Sequence, residues 1–191
     1  MEWEKIIDQA VKECNKHKLH QVDSIGITRK EMETIRTLRS NIKERLMFTL
    51  LCLAKYRNAI YPKNNAWVNY ELPHVYRLAN IDLSKRKKML ALNSLYEAGM
   101  INFGRNVDNT NVRVRIISED PEIAVTIDDF RNLGNQYMRL FSDNYMTCGE
   151  CGIVIRRANN KHRLCKKCAE EMNRINTLRR YYEHVAQTYN F

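Results

Sequence analysis

Four cysteines stand in two pairs, Cys148-Gly-Glu-Cys151 and Cys165-Lys-Lys-Cys168, with thirteen residues between the pairs. Two Cys-x-x-Cys knuckles of this kind can bring four thiolates into a tetrahedron, the arrangement zinc accepts. Gly149 and Gly152 ease the backbone at the first knuckle. The expectation is one Zn2+ held by Cys148, Cys151, Cys165 and Cys168. Four protein ligands leave no position for water, so the ion is expected to be structural, its binding helping to fold a segment too small to hold itself. Free thiols or two disulfides are the competing readings, and the paired arrangement argues against a redox role. His162, between the knuckles, reads as a solvated surface residue. Cys52 lies in an apolar helical run and reads as a small buried thiol. Cys14 opens Cys14-x-x-His17-x-x-His20, a weak metal candidate whose histidines sit among lysines.

Cations crowd around the knuckles. Arg156, Arg157, Lys161, Arg163, Lys166, Lys167, Arg174, Arg179 and Arg180 are opposed over that stretch only by Glu170 and Glu171. Such a run is either a solvated face or a phosphate-binding one, and a metal-stiffened basic surface can neutralise phosphates at little ordering cost. A second cluster, Ser84-Lys-Arg-Lys-Lys88, puts four cations where a helix should begin, and the helix dipole disfavours them there. A docked phosphate backbone offsets that cost, so Lys85, Arg86 and Lys88 are candidate nucleic-acid contacts. Arg105, Arg113 and Arg115 join them from a neighbouring hairpin, whose bland alternative is a merely soluble strand pair. Asn93 is either a base-reading residue or an exposed polar one.

No catalytic constellation accompanies these clusters. Asp128-Asp129 stand as a lone acidic pair, the five histidines are scattered, and phosphate-cradling glycine loops and a Ser-His-Asp set are absent as motifs. The expected activity is therefore binding and not catalysis. A net charge of +10 over 191 residues favours an anionic partner. The longest nearly apolar run, Leu46 to Ala54, is far short of a membrane span, and the first residues lack a signal-peptide pattern, so a cytoplasmic protein without a membrane partner is expected.

The elements that would position these residues can be read from periodicity and caps. Trp3, Ile6, Ile7, Ala10, Val11 and Cys14 form one helical stripe, which needs something to pack against. Thr28 with Glu31 makes a capping box for a second helix, and Asn41 with Glu44 opens a strongly apolar third. Then come a short strand at Trp67 to Asn69, a helix at about 71–79, and a helix capped by Ser84 that buries Met89, Leu92 and Leu95 and stops at Gly99. A hairpin of 101–105 and 112–117 follows, with Arg113 and Arg115 opposite Val112, Val114 and Ile116. That is the order of a winged helix-turn-helix. Ile123 to Ile127 reads as a strand, 128–141 as a helical connector, and about 166–189 as a long basic helix. The fold class is α+β, mainly α: an N-terminal helical segment (1–40), a winged helix-turn-helix domain (41–118), a connector (119–145), and a four-cysteine zinc ribbon with a basic helical tail (146–191).

Asn65-Ala-Trp-Val-Asn-Tyr70, Leu78-Ala-Asn-Ile81, Leu95-Tyr-Glu-Ala-Gly-Met-Ile101, Asp129-Phe-Arg-Asn-Leu-Gly134 and the two knuckles together resemble uncharacterised proteins of phages and integrating elements of Gram-positive bacteria. The resemblance covers about residues 25–185. It implies a winged-helix-like domain followed by a zinc ribbon, and a role either in controlling the element's genes or replication or in interfering with a host defence. Two functions follow as expectations. One is a DNA-binding regulator, with a homodimer as a possible form. The other is an inhibitor or adaptor of a host defence nucleoprotein complex, anti-CRISPR-like in kind, marked by weak binding to naked DNA beside tight binding to a host protein.

Overall fold

The computed structural model describes residues 2–16, 22–104 and 111–189. Its elements run α1 (Glu2–Lys16), β1 (Ile25–Thr28), α2 (Arg29–Arg36), α3 (Asn41–Ile60), a 3-10 turn (Pro62–Asn64), β2 (Trp67–Val68), α4 (Leu72–Leu78), α5 (Lys85–Glu97), β3 (Ile101–Phe103), β4 (Val112–Val114), β5 (Ile123–Ile127), α6 (Leu133–Arg139), β6 (Tyr145–Thr147), β7 (Val154–Arg156) and α7 (Lys166–Tyr189). The fold is mixed α and β and mainly helical. Among the described residues no helix is long and apolar enough to cross a membrane.

Helix α3 organises the core because its middle is apolar on every side. Each residue from Leu46 to Ala54 is buried, as a helix without a polar face must be. It packs against α2, α4, α5 and α6 and against β1, β2 and β4. Its start is shifted by one residue from the expected one. Glu44 Oε1 accepts the Ser40 N–H at 3.0 Å, so Ser40 is the cap and Asn41 the first helical residue.

The Thr28–Glu31 capping box forms in full, with reciprocal bonds of 2.8 and 3.2 Å. Glu31 does more than cap. Its fully buried carboxylate also accepts from Lys55 Nζ at 2.6 Å and from the Ser118 N–H at 2.9 Å, and Lys55 Nζ reaches the Gly26 carbonyl. One polar hub therefore ties α2, α3, β1 and the approach to β5 together.

Strand β1 pairs antiparallel with β5, Ile25 opposite Ile127 and Ile27 opposite Val125. Ile27 and Ile35 from one end, and Leu133 and Tyr137 from the other, enter the same core as α3. This core runs across the boundaries expected at 40/41 and 118/119. Strands β2, β4 and β3 form a second sheet in that order, with Val68 and Phe103 both opposite Val112. Val112 and Val114 face inward, which turns Arg113 and Arg115 outward. The turn between β3 and β4, with Arg105, lies outside the described residues, as do His17 and His20.

Helix α5 buries Ala91, Leu92 and Leu95 and ends before Gly99, whose φ of 68° suits a residue without a Cβ. Met89, expected in this core, is 39% exposed. It lies roughly 110° around the helix from the centre of the buried stripe, at 100° per residue. Ser84 occupies the cap position but makes no side-chain capping bond. Helix α6 is shorter than the expected 128–141 segment, and the α1 residues Trp3, Ile6, Ile7 and Val11 are all more than half exposed.

Candidate metal centre and cationic surface

Strands β6 and β7 pair as a hairpin, Thr147 opposite Val154, and the first cysteine pair sits in its turn. Gly152, with φ of 75°, closes that turn by donating to the Cys148 carbonyl at 3.1 Å. The second pair is not on a strand. Cys165 precedes α7 and Cys168 lies in its first turn, where the Cys168 N–H points at Cys165 Sγ at 3.4 Å. The two pairs are drawn together by the Gly149 N–H bond to Arg163 O, 3.0 Å, and by the Cys165 N–H to Cys148 Sγ, 3.2 Å.

All four Sγ atoms lie within 4.8 Å of one another. The Cys151 and Cys165 sulfurs are 3.8 Å apart, too far for a disulfide. A tetrahedron of thiolates about 2.3 Å from a central zinc has edges of about 3.8 Å. The geometry can therefore hold a metal ion. Burial opposes ionisation of Cys148, yet backbone N–H groups at Cys151, Cys165 and Glu150 outweigh it and pull this thiol down to about 6. Hydrogen bonds with Cys165 and Cys151 push Cys168 up to about 12. Four sulfurs this close cannot all ionise without a cation between them. His162 turns its ring to its own loop, Nδ1 accepting the Ala158 N–H at 3.0 Å.

Sequence reasoning missed the residues that fasten this hairpin to the body. Arg131 donates to the Cys151 carbonyl at 2.8 Å while bonding Asp129 through two nitrogens. Partial burial works against the Asp129 charge, but Arg131 holds the carboxyl below the usual range. Asn132 and Asn135 both donate to the Val154 carbonyl, and Arg139 donates to Thr147 Oγ1 at 2.6 Å. On the other side of α6, Tyr137 packs its ring 5.1 Å from that of Phe48 and donates to Glu44 at 2.8 Å. The only signal for this role was the polar run Arg131-Asn132 before an apolar residue, which does not reveal its target.

The expected cationic residues fall into three groups. Lys85, Arg86 and Lys87 are exposed on the first turn of α5, and Lys88 is half-buried with Nζ 5.4 Å from the centre of the Tyr76 ring. Lys85, Lys88 and Met89 line an open groove together with Glu71, Leu72, Pro73 and Tyr76. Arg113 donates to both oxygens of Asn65, at 2.6 Å to Oδ1 and 3.2 Å to the carbonyl, and shares an open polar groove with Arg115 and Asn102. Arg156, Arg157, Lys161, Arg163, Lys166 and Lys167 are exposed around the cysteine cluster. Among these six, one ion pair occurs among the described residues, a long 3.9 Å contact from Lys166 to Glu170. Comparison of the chain with protein-family models, with curated proteins and with solved structures yields no match.

Proposed function

We propose that the chain is a non-enzymatic nucleic-acid-binding protein, a DNA-binding regulator of a phage or mobile element. In this reading residues 41–118 work as a winged helix-turn-helix and 146–191 as a four-cysteine zinc module with a basic tail. The observation that carries the proposal is the first turn of α5. Lys85, Arg86 and Lys87 point to solvent there with no acidic residue in the turn and no ion pair among the described residues. Cations at a helix N-terminus cost roughly 0.3–1 kcal/mol each. A phosphate backbone is the partner that turns this cost into a gain, and the first turn of the second helix is the part that meets DNA in helix-turn-helix complexes.

The element order supports the reading: α3, β2, α4, α5 and then β3 and β4 in one sheet with β2. Arg113 and Arg115 lie on the outer face of the strand that would form the wing. The all-sulfur donor set and the 3.8 Å sulfur separation favour zinc over harder cations. Bound zinc would carry no reaction step and would hold the basic loop between Arg156 and Lys167 against the start of α7.

The test is fluorescence anisotropy of the purified zinc-loaded chain on a labelled random duplex, from low to physiological salt. Binding that weakens steeply with salt is expected. Absence of binding even at low salt would sink the proposal and assign the basic surface to a protein partner, such as a host nucleoprotein complex.

A further inference from the structure

An open groove crosses the outer face of the three-stranded sheet, lined by Asn65, Asn102, Arg113, Val114, Arg115 and Ile117. Register explains the gathering. Asn102 of β3 stands opposite Arg113 of β4, and the Arg115 N–H donates to the Met100 carbonyl at 2.9 Å, which carries the ladder one residue past β4. Arg113 and Arg115 therefore leave the same face, from Cα atoms roughly 6.5–7 Å apart. No carboxylate lines the groove. Among the described residues the exposed Arg115 side chain has no hydrogen-bond or ion-pair partner. Two cations stand side by side with nothing of opposite charge in the lining.

The two are held differently. Arg113 donates from Nη2 to Asn65 Oδ1 at 2.6 Å and from Nε to the Asn65 carbonyl at 3.2 Å. Both acceptors are neutral, so the guanidinium keeps its whole charge, and three of its five N–H groups are unused by these bonds. Asn65 is itself fixed. It and Ala66 both have left-handed backbone, with φ of 53° and 64°, which an alanine holds only where its surroundings over-determine it. Here they do: Asn58 Oδ1 accepts the Ala66 N–H at 2.9 Å, and the Ala66 carbonyl accepts the Val114 N–H at 3.0 Å. A strained turn thus presents one amide side chain to one guanidinium. An acid at position 65 would latch Arg113 more firmly, whereas the amide latches it and leaves the charge to be used.

We infer that this groove is a binding site for one phosphate group, seated between Arg113 and Arg115. A guanidinium offers phosphate paired N–H donors in a flat fork, and a fork already held in place loses little freedom when it binds. Arg113 is the fixed donor, Arg115 the mobile one, and Asn65 a positioning residue. Asn102 brings a further amide from β3. The two guanidinium groups match a phosphate monoester, which carries about −1.5 to −2 at neutral pH, and the same donors fit the phosphates of a nucleic-acid strand. The inference rests on the groove and not on the nucleic-acid reading. Inorganic phosphate tests it without DNA, and duplex binding can succeed or fail through α5 or the cysteine module.

The test is a titration of the full zinc-loaded chain with inorganic phosphate at constant ionic strength, followed by NMR of arginine Nε–Hε and asparagine amide groups. The signals of Arg113, Arg115 and Asn102 should move together and saturate at about millimolar phosphate, the strength of a few charge-assisted hydrogen bonds. Asn65→Asp keeps the size, the acceptor and the tolerance of left-handed backbone, yet supplies Arg113 with a counter-charge. It should weaken phosphate roughly tenfold or more without loss of stability, and Arg115→Gln, at an exposed position, should do the same. Displacement of phosphate by a nucleoside 5′-monophosphate, but not by the nucleoside, would identify a free ester as the ligand. Displacement by a duplex without terminal phosphates would identify the strand backbone. Shifts that never saturate, or that move Arg86 and Arg156 as far as Arg113, would overturn the inference. Unchanged phosphate affinity in Asn65→Asp would overturn it too, leaving Arg113 as a latch for the turn.

Discussion

Asn135 donates from Nδ2 to the carbonyl of Val154 at 3.1 Å, so a buried polar side chain of α6 holds the strand that leads away from the first cysteine knuckle. Asn132 shares that carbonyl at 3.2 Å, which leaves it one donor if Asn135 is lost. Asn135→Leu should therefore cost about 1–2 kcal/mol in urea unfolding, the range for one buried hydrogen bond with its acceptor still partly satisfied. The local effect should be larger than the global one. Amides of Tyr145 to Arg156 should exchange faster while those of α3 do not, and equal effects on both would remove the anchoring role.

Gly134 makes a sharper demand. A Cβ at this position would lie 2.0 Å from the Ala79 carbonyl oxygen and 2.4 Å from its carbon, and both are backbone atoms at the end of α4. Neither can swing aside as a flexible side chain could. Gly134→Ala should destabilise by about 3 kcal/mol, at the upper end of overpacking costs, and lower Tm by roughly 6–12 °C for a chain of this size. Calorimetry on the variant checks it. A change within about 1 °C, well below that range, would mean that α6 does not approach α4 as closely as described.

The Glu31 hub is a buried charge pair, and removing one partner leaves the other uncompensated. Lys55→Met should cost about 3–5 kcal/mol by that mechanism, toward the low end because Glu31 keeps the Thr28 and Ser118 N–H bonds. Adding Glu31→Gln should recover part of the loss. Stability of Lys55→Met, Glu31→Gln and the double variant from denaturant titration gives the answer, and strictly additive losses would show that the two side chains are not coupled.

A metal ion held by the four sulfurs would couple its binding to local folding. Stripping the ion with a strong chelator, or replacing Cys148 or Cys165 by Ser, should leave the helical core intact and release the segment from Tyr145 through the first turns of α7. Protons compete for the same sulfurs, so metal affinity should fall as pH falls. Metal content measured by elemental analysis across pH, together with amide exchange, reads both effects. Stoichiometric metal in the Cys148→Ser variant at neutral pH would argue against the four-sulfur site.

Features written in local spacing were legible in the sequence. The two knuckles, the apolar run of α3, the extent of α7, the Thr28–Glu31 box and the alternation around Arg113 all depend on residues within a few positions of each other. What was missed depends on distant partners. Ile25-Gly-Ile-Thr28 becomes a strand only because Ile123 to Ile127 comes alongside, with Ile123 packed where Gly26 has no side chain. The Asn132 and Asn135 amides look like loop polarity until the Val154 carbonyl is brought to them. Met89 shows the same limit at the scale of one helix: periodicity marks a stripe, but its edge is set by the width of what packs against it.

The cations on α5 provide the last prediction. Each phosphate neutralised on duplex DNA contributes about 0.9 to the slope of log affinity against log salt. If Lys85, Arg86 and Lys88 each meet one, their joint replacement by Ala should lower that slope by up to about 3 and weaken binding most at low salt. Lys85 and Arg86 are exposed and should change stability little. Lys88 lies 5.4 Å from the centre of the Tyr76 ring, so a small loss there is expected. A parallel variant, Arg156→Ala with Arg157→Ala, separates the two basic regions. A reduced slope in the first variant alone assigns the contact to α5, and in the second alone to the cysteine module. Unchanged slopes in both would remove these five side chains from the phosphate contacts.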